Sequence, residues 1–201
     1  LSGSSITVNP TTHTTYTVVA SNANGCNTSS TLYVTVNPNP SVTFSPQVDL
    51  TCFGSNDGAL TAVAAGGTSP YEYLWSNTET TALINGLSVG NYICTVTDDN
   101  GCTGSNDADI VEPTALTLSF TPTPALCNGG NGSSIASGVG GTSPYTYEWK
   151  NGTTVVSILA NSGSLPAGSY TCEVTDDNGC TFTTTTSISA PSAISISFST
   201  T

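Results

Sequence analysis

The sequence predicts an all-β protein: tandem small antiparallel β-sandwiches arranged as an extended array. Three observations carry this. Short runs alternate apolar or β-branched residues with polar ones, as a half-buried strand requires. Clusters of Gly, Pro and Asn separate those runs and supply turns. A whole unit also occurs twice. Gly66-Gly67-Thr68-Ser69-Pro70-Tyr71-Glu72-Tyr73-Leu74-Trp75 returns 74 residues later as Gly140-Gly141-Thr142-Ser143-Pro144-Tyr145-Thr146-Tyr147-Glu148-Trp149. Gly90 to Cys102 returns 78 residues later as Gly168 to Cys180, so four residues are inserted between Trp149 and Gly168. Internal repetition at this period marks an array.

Residues 1–40 form the first element of that array, the C-terminal half of a preceding unit. Tyr16 and Cys26 keep the ten-residue step that separates Tyr92 from Cys102, and Thr31–Val36 alternates as a strand. Residues 41–113 are the first complete repeat, with strands at Val42–Phe44 and Tyr92–Thr97 and a hairpin turn at Asp98-Asp99-Asn100-Gly101. Residues 114–191 are the second, with strands at Leu116–Phe120 and Thr183–Ser189. In residues 192–201, Ile194-Ser195-Ile196-Ser197-Phe198 repeats the opening of the second repeat, which predicts the first strand of a following unit. Pro38, Pro40, Pro113 and Pro191 fall at the handovers, where fixed φ and a missing N–H stiffen the joint and stop strands pairing across it. A jointed array of this kind is expected to scatter as a rod. The chain starts without an initiator Met or a charged-then-apolar leader, so it reads as an interior piece of something longer.

Composition narrows the function. The net charge is −12, with 1 Lys+Arg, 13 Asp+Glu and 1 His. One lysine and no arginine cannot hold a phosphate backbone, which excludes nucleic acid as a partner. Anionic membrane surfaces are excluded by the same count. No run of about 18 apolar residues is present to insert into a bilayer. Ser and Thr make up close to a third of the chain, so its surface is solvated through hydroxyls. Seven Cys in such a chain point to an oxidising, extracellular setting.

The aromatic residues come in rows. Tyr71, Tyr73 and Trp75 share one strand face, as do Tyr145, Tyr147 and Trp149. They could stack on sugars, but the same spacing describes the core face of a strand, and that reading is favoured. Tyr92 and Tyr170 follow a Gly and precede a Cys by two, which fits the tyrosine corner of immunoglobulin (Ig)-like sandwiches. They too are assigned to the core. Asp98 and Asp99, with their repeats Asp176 and Asp177, are candidate Ca²⁺ ligands, to which Asp57, Asp107 and Asp109 could add. The second repeat carries Asn131 in place of Asp57 and Thr in place of Asp107 and Asp109, so plain turns without a cofactor are the expectation. His13, the single histidine, sits in a Thr-rich loop, leaving a Ser or Cys nucleophile in either complete repeat without a base. No enzyme is expected. Asn27-Thr28-Ser29, Asn131-Gly132-Ser133 and Asn151-Gly152-Thr153 fit the N-glycosylation pattern, which short matches in so Asn- and Thr-rich a chain also do by chance.

Each complete repeat has three cysteines. The Ig analogy would pair Cys52 with Cys94. In the first unit, however, Val18 stands at the place of Cys94 while Cys26 matches Cys102. A Cys that exchanges with Val behaves as a small buried apolar residue. The expected disulfides are therefore Cys52–Cys102 and Cys127–Cys180, each closing a loop of about fifty residues. Cys94 and Cys172 are expected to be buried free thiols.

The unit running from Cys52-Phe53-Gly54-Ser55-Asn56-Asp57-Gly58 through Gly66–Trp75 and Gly86-Leu87-Ser88-Val89-Gly90-Asn91-Tyr92 to Asp98-Asp99-Asn100-Gly101-Cys102 resembles the SprB repeat, a module of the giant surface adhesins of gliding Bacteroidota. Cys127 to Cys180 resembles it equally, and residues 1–40 are similar to the Ig-like modules that accompany such repeats. Cys94 and Cys172 depart from the family pattern, which usually has an aliphatic residue or Thr there. The resemblance implies type IX secretion, display on the cell surface, and a stalk serving cell adhesion and gliding motility, without catalytic residues. The implied partners are neighbouring repeats of the chain and, beyond them, surface polysaccharide or other adhesin chains. The rival functions are a carbohydrate-binding module array and a spacer region of a large secreted enzyme.

Overall fold

The computed structural model describes residues 5–199. Among them there is no helix; all regular structure is antiparallel strand. β1 (Thr14–Ser21) and β2 (Asn27–Val34) make a two-stranded ribbon. Val18, Val19, Leu32 and Tyr33 lie exposed on it. The strand predicted to reach Val36 ends at Val34, because the Val36 N–H donates to His13 Nδ1 instead (3.1 Å).

The first repeat contains β3 (Ser41–Val48), β4 (Gly58–Ala65), β5 (Tyr71–Trp75), β6 (Leu83–Leu87), β7 (Gly90–Asp98) and β8 (Thr103–Ile110). They form two sheets, in the orders β3-β4-β6 and β5-β7-β8. The second repeat contains β9 (Thr117–Thr123), β10 (Asn131–Val139), β11 (Thr146–Asn151), β12 (Thr154–Ser157), β13 (Leu165–Pro166), β14 (Gly168–Thr175) and β15 (Thr181–Ile188), in the orders β13-β10-β9 and β12-β11-β14-β15. The four inserted residues lengthen the hairpin in which β12 turns back on β11 through Gly152 at φ 60°. By contacts the chain divides into two units. One comprises residues up to Ser45 with Thr61–Leu83 and Tyr92–Ala108; the other comprises Pro46–Leu60, Ile84–Asn91 and everything from Asp109 onward.

The period of two places the core. On β7, Cys94, Val96 and Asp98 are buried while Thr95 and Thr97 between them are half-exposed. β14 repeats this with Tyr170, Cys172 and Val174. The rings of Phe44 and Trp75 meet across the first sandwich (5.6 Å between centroids), and those of Phe120 and Trp149 across the second (5.4 Å). In the second repeat Ala136, Trp149, Leu165, Tyr170, Cys172 and Ile188 form one packed cluster. Burying each indole contributes on the order of 2–3 kcal/mol or more.

Residues 191–199 form no strand, and Ile194 and Phe198 are 96% and 91% exposed. Of their counterparts, Leu116 is buried and Phe120 packs on the core of the second repeat, where strands are present to receive them. The last two residues of the predicted strand at 192–201, and the first four of the unit at 1–40, lie outside the described residues.

Candidate functional site

The two most elaborate local structures are the Asp turns, and they repeat almost atom for atom. β7 ends at Asp98 and β8 begins at Thr103, with Gly101 at φ 78° supplying the left-handed step that closes the hairpin. The Asp98 carboxylate accepts three backbone N–H groups: Oδ2 from Thr68 (2.9 Å), Oδ1 from Asn100 (3.0 Å) and Cys102 (2.8 Å). Asp176 accepts the same three, from Thr142 (2.9 Å), Asn178 (3.0 Å) and Cys180 (2.8 Å). Burial opposes the ionisation of Asp98. The amides of Thr68, Cys102 and Asn100 outweigh it and hold the carboxyl below the ordinary carboxylate range. Asp176 is lowered against its burial by Thr142, Cys180 and Asn178 in the same way.

This cage explains the recurring Gly-Gly-Thr-Ser-Pro. A Cβ on Gly67 would stand 2.8 Å from Asp98 Oδ2, and one on Gly141 would run into Asp176. Both glycines also sit at positive φ. Tyr71 and Tyr145 then tie the loop shut by donating to the carbonyls of Gly66 (2.5 Å) and Gly140 (2.7 Å). The first unit has a simpler version: Asn22 Oδ1 accepts the N–H groups of Asn24 and Cys26, both at 3.0 Å. Asx-x-Asn-Gly-Cys is thus a three-fold signal for a side-chain-capped hairpin. Sequence reasoning saw the turn and missed the cage.

Four of the seven metal candidates, Asp57, Asp98, Asp109 and Asp176, have carboxylates hydrogen-bonded within the fold. Asp57 accepts from Ser55 (2.5 Å) and Thr51 (3.2 Å), and Asp109 from Asn91 (2.9 Å). Among the described residues no group of three or more His, Cys, Asp or Glu is placed to hold a metal ion. His13 stacks on Tyr33 (6.0 Å) and accepts from Val36, so its ring braces the ribbon.

Of the eight aromatics assigned to the core, Trp75, Trp149 and Tyr170 are buried, at 2%, 0% and 2% exposure. Tyr71, Tyr73, Tyr92, Tyr145 and Tyr147 are half-buried, and Tyr147 packs against the core of the second repeat. The indole N–H groups of Trp75 and Trp149 donate to Thr81 O (2.8 Å) and Leu159 O (2.9 Å). Neither indole offers a face to a sugar. Tyr170 donates to Pro166 O (2.9 Å), four residues upstream, the hydrogen bond that defines a tyrosine corner.

The cysteine pairing differs from expectation. Cys52 bonds to Cys180, with Cα atoms 5.7 Å apart, while Cys102 and Cys127 are free. The expected Cys52–Cys102 and Cys127–Cys180 bonds are therefore wrong, for a reason of geometry. The Cys127 loop is held at the C-terminal end of β15, where Ala125 N–H donates to Ser189 O and Asn128 Nδ2 to Pro191 O. Cys180 lies just before the N-terminal end of the same strand. Eight extended residues separate the two ends by roughly 26 Å, far beyond the 4.4–6.8 Å a disulfide spans. In the first repeat, Cys102 precedes β8 and Leu50 N–H donates to Val111 O past its far end. A cysteine at each end of one strand suits a bond to a neighbouring repeat and not one within its own. Cys94 and Cys172 are free and fully buried, and burial pushes each thiol up to about 11.

The SprB repeat model matches residues 45–80 and 119–154, one stretch in each complete repeat. None of the curated proteins matches the chain. Among solved structures, the N-terminal eight Ig domains of Down Syndrome Cell Adhesion Molecule (DSCAM), isoform 1.30.30, are similar at a TM-score of 0.44 and 16% identity, over 89% of this chain. The chain spans 28% of the length of that structure.

Proposed function

We propose that this chain is a structural and adhesive stalk segment of a very large surface adhesin of a Bacteroidota bacterium, exported by the type IX system and serving cell adhesion and gliding motility without catalysis. The observation that carries the reading is the pair of SprB-repeat matches on two sandwiches that repeat the same internal braces. The Asp carboxylates are spent on backbone amides and the indoles on the core, so the shared chemistry serves to hold each repeat shut. The domain reading is residues 1–40 as the tail of an Ig-like unit, 41–113 and 114–191 as SprB-type repeats, and 192–201 as the opening strand of a further unit. The Cys52–Cys180 bond suits an extracellular address. Neighbouring repeats are the first partners, and surface polysaccharide or other adhesin chains the outer ones. Antibodies raised against the chain should label intact cells of the source organism and slow their attachment and gliding on glass. Label confined to permeabilised cells would contradict the proposal.

A further inference from the structure

Besides its buried mid-strand cysteine, each complete repeat carries a turn cysteine and a hairpin cysteine, and their surroundings repeat even where the bond does not. Cys52 opens a tight turn in which Ser55 N–H donates to Cys52 O (3.1 Å), with Gly54 at φ 71°. Cys127 opens the same turn, with Gly130 N–H donating to Cys127 O (3.0 Å) and Gly129 at φ 76°. Both turns stand beside the handover segment that follows the repeat. Cys52 and Phe53 line a cleft with Pro113, Thr114 and Ala115, and Cys127 and Asn128 line one with Pro191, Ser192 and Ala193. The difference lies in the opposite wall. The first cleft is completed by Gly141, Cys180 and Phe182, from the last hairpin of the following repeat and its Gly-Gly loop. Asn178 Nδ2 adds a hydrogen bond from that hairpin to Thr51 O (3.1 Å). Around Cys127 that wall is absent, and its thiol is exposed.

We propose that Cys127 is a socket for the Asn-Gly-Cys hairpin of a further repeat of the same kind, so that successive repeats are stitched by disulfides from the turn of one to the last hairpin of the next. Cys180 is the hairpin cysteine of one such stitch, and Cys102 is the equivalent hairpin cysteine for a socket in a preceding unit. The occupant fits on three counts: Cys180 already fills the equivalent socket, Pro113-Thr114-Ala115 is answered by Pro191-Ser192-Ala193, and Ile194, which lines the cleft, is followed by exposed Ile196 and Phe198 in the segment that repeats the start of β9. Forming the bond oxidises two thiols to one Sγ–Sγ bond. Their two electrons and two protons pass to a disulfide oxidant, small-molecule or protein, whose S–S bond breaks to give two thiols through a mixed disulfide.

The test extends the full chain after Thr201 with a second copy of residues 124–191, which completes a third repeat. The product is refolded in a glutathione redox buffer, alkylated and mapped without reduction. Cys127 should pass from fully alkylated in the 201-residue chain to almost unalkylated, and appear bonded to the appended copy of Cys180, with Cys52–Cys180 retained. Cys127 left alkylated, or bonded to Cys180 of its own repeat, overturns the proposal. Should the extension fail to fold, C52S in the 201-residue chain decides, because it releases Cys180 in a chain whose Cys127 is already free. Alkylation of both supports stitching between repeats, and a Cys127–Cys180 bond refutes it.

Discussion

The two repeats share a frame and differ in what fills it. Trp75, Leu87, Cys94, Val96 and Ile110 are matched by Trp149, Leu165, Cys172, Val174 and Ile188, and all ten are buried. Leu50, Leu60 and Ile84 are buried as well, yet the second repeat has Ala125, Ser134 and Ser162 at those places. Backbone pairing makes the exchange tolerable. Ser134 N–H donates to Ser162 Oγ and Ser162 N–H to Ser134 O, both at 2.9 Å. The Ser134 hydroxyl itself is fully buried without a partner. Losing a buried Leu or Ile forfeits roughly 1.5–3 kcal/mol of transfer free energy, and an unsatisfied hydroxyl costs about 1–3 kcal/mol more. The second repeat should therefore be the less stable of the two, held by the sheet that carries Trp149 and by its disulfide to the first.

Removing the shared frame should have the largest effect. Trp75→Ala or Trp149→Ala is expected to cost about 3–5 kcal/mol. Calorimetry should then show the altered repeat melting well before the other, with the larger separation for Trp149→Ala. A single unshifted transition would break the comparison.

Alanine at one equivalent position should act in opposite directions in the two repeats. Leu60→Ala opens a cavity in the first and should cost about 2–5 kcal/mol. Ser134→Ala removes an unpaired hydroxyl from the second and should stabilise it by about 1 kcal/mol. Urea midpoints of the two variants, on opposite sides of the parent, check this.

Acid should act on both repeats alike. The folded carboxyls of Asp98 and Asp176 titrate below their unfolded value near 3.9. Their contribution is present in full above that value and is lost as pH falls through the lower folded one. Melting temperature should accordingly drop by several degrees on acidification below about pH 4. Combining Asp98→Asn with Asp176→Asn should lower stability at neutral pH and flatten that acid limb; an unchanged limb would mean the cages do not matter.

The smallest effect separates the thiols. Cys94 and Cys172, buried and pushed up to about 11, should resist iodoacetamide in the native protein, whereas Cys26 and Cys127 should react promptly. Prompt labelling of Cys94 would show its sandwich to be open.

The fold was legible because its signals are local. Alternation on Tyr92–Thr97 placed β7, and Asp-Asp-Asn-Gly placed the hairpin after it. Val18 at the place of Cys94 marked the mid-strand cysteines as buried thiols. What stayed hidden depends on distance through space. The cage needs Thr68 brought to Asp98 across thirty residues, and the spacing of Gly67 to Asp98 carries no periodicity that announces it. The disulfide was misassigned because pairing by unit ignores that β8 and β15 each hold their two cysteines at opposite ends. Strand length alone, about 3.3 Å for each residue, would have excluded both bonds.

The central claim is that the cysteines connect repeats and do not close them. Non-reducing peptide mapping of the oxidised, alkylated chain tests it most directly. One disulfide-linked pair of peptides should be recovered, joining Cys52 to Cys180, with Cys102 and Cys127 alkylated. Recovery of Cys52 joined to Cys102, or of Cys127 joined to Cys180, would contradict the account.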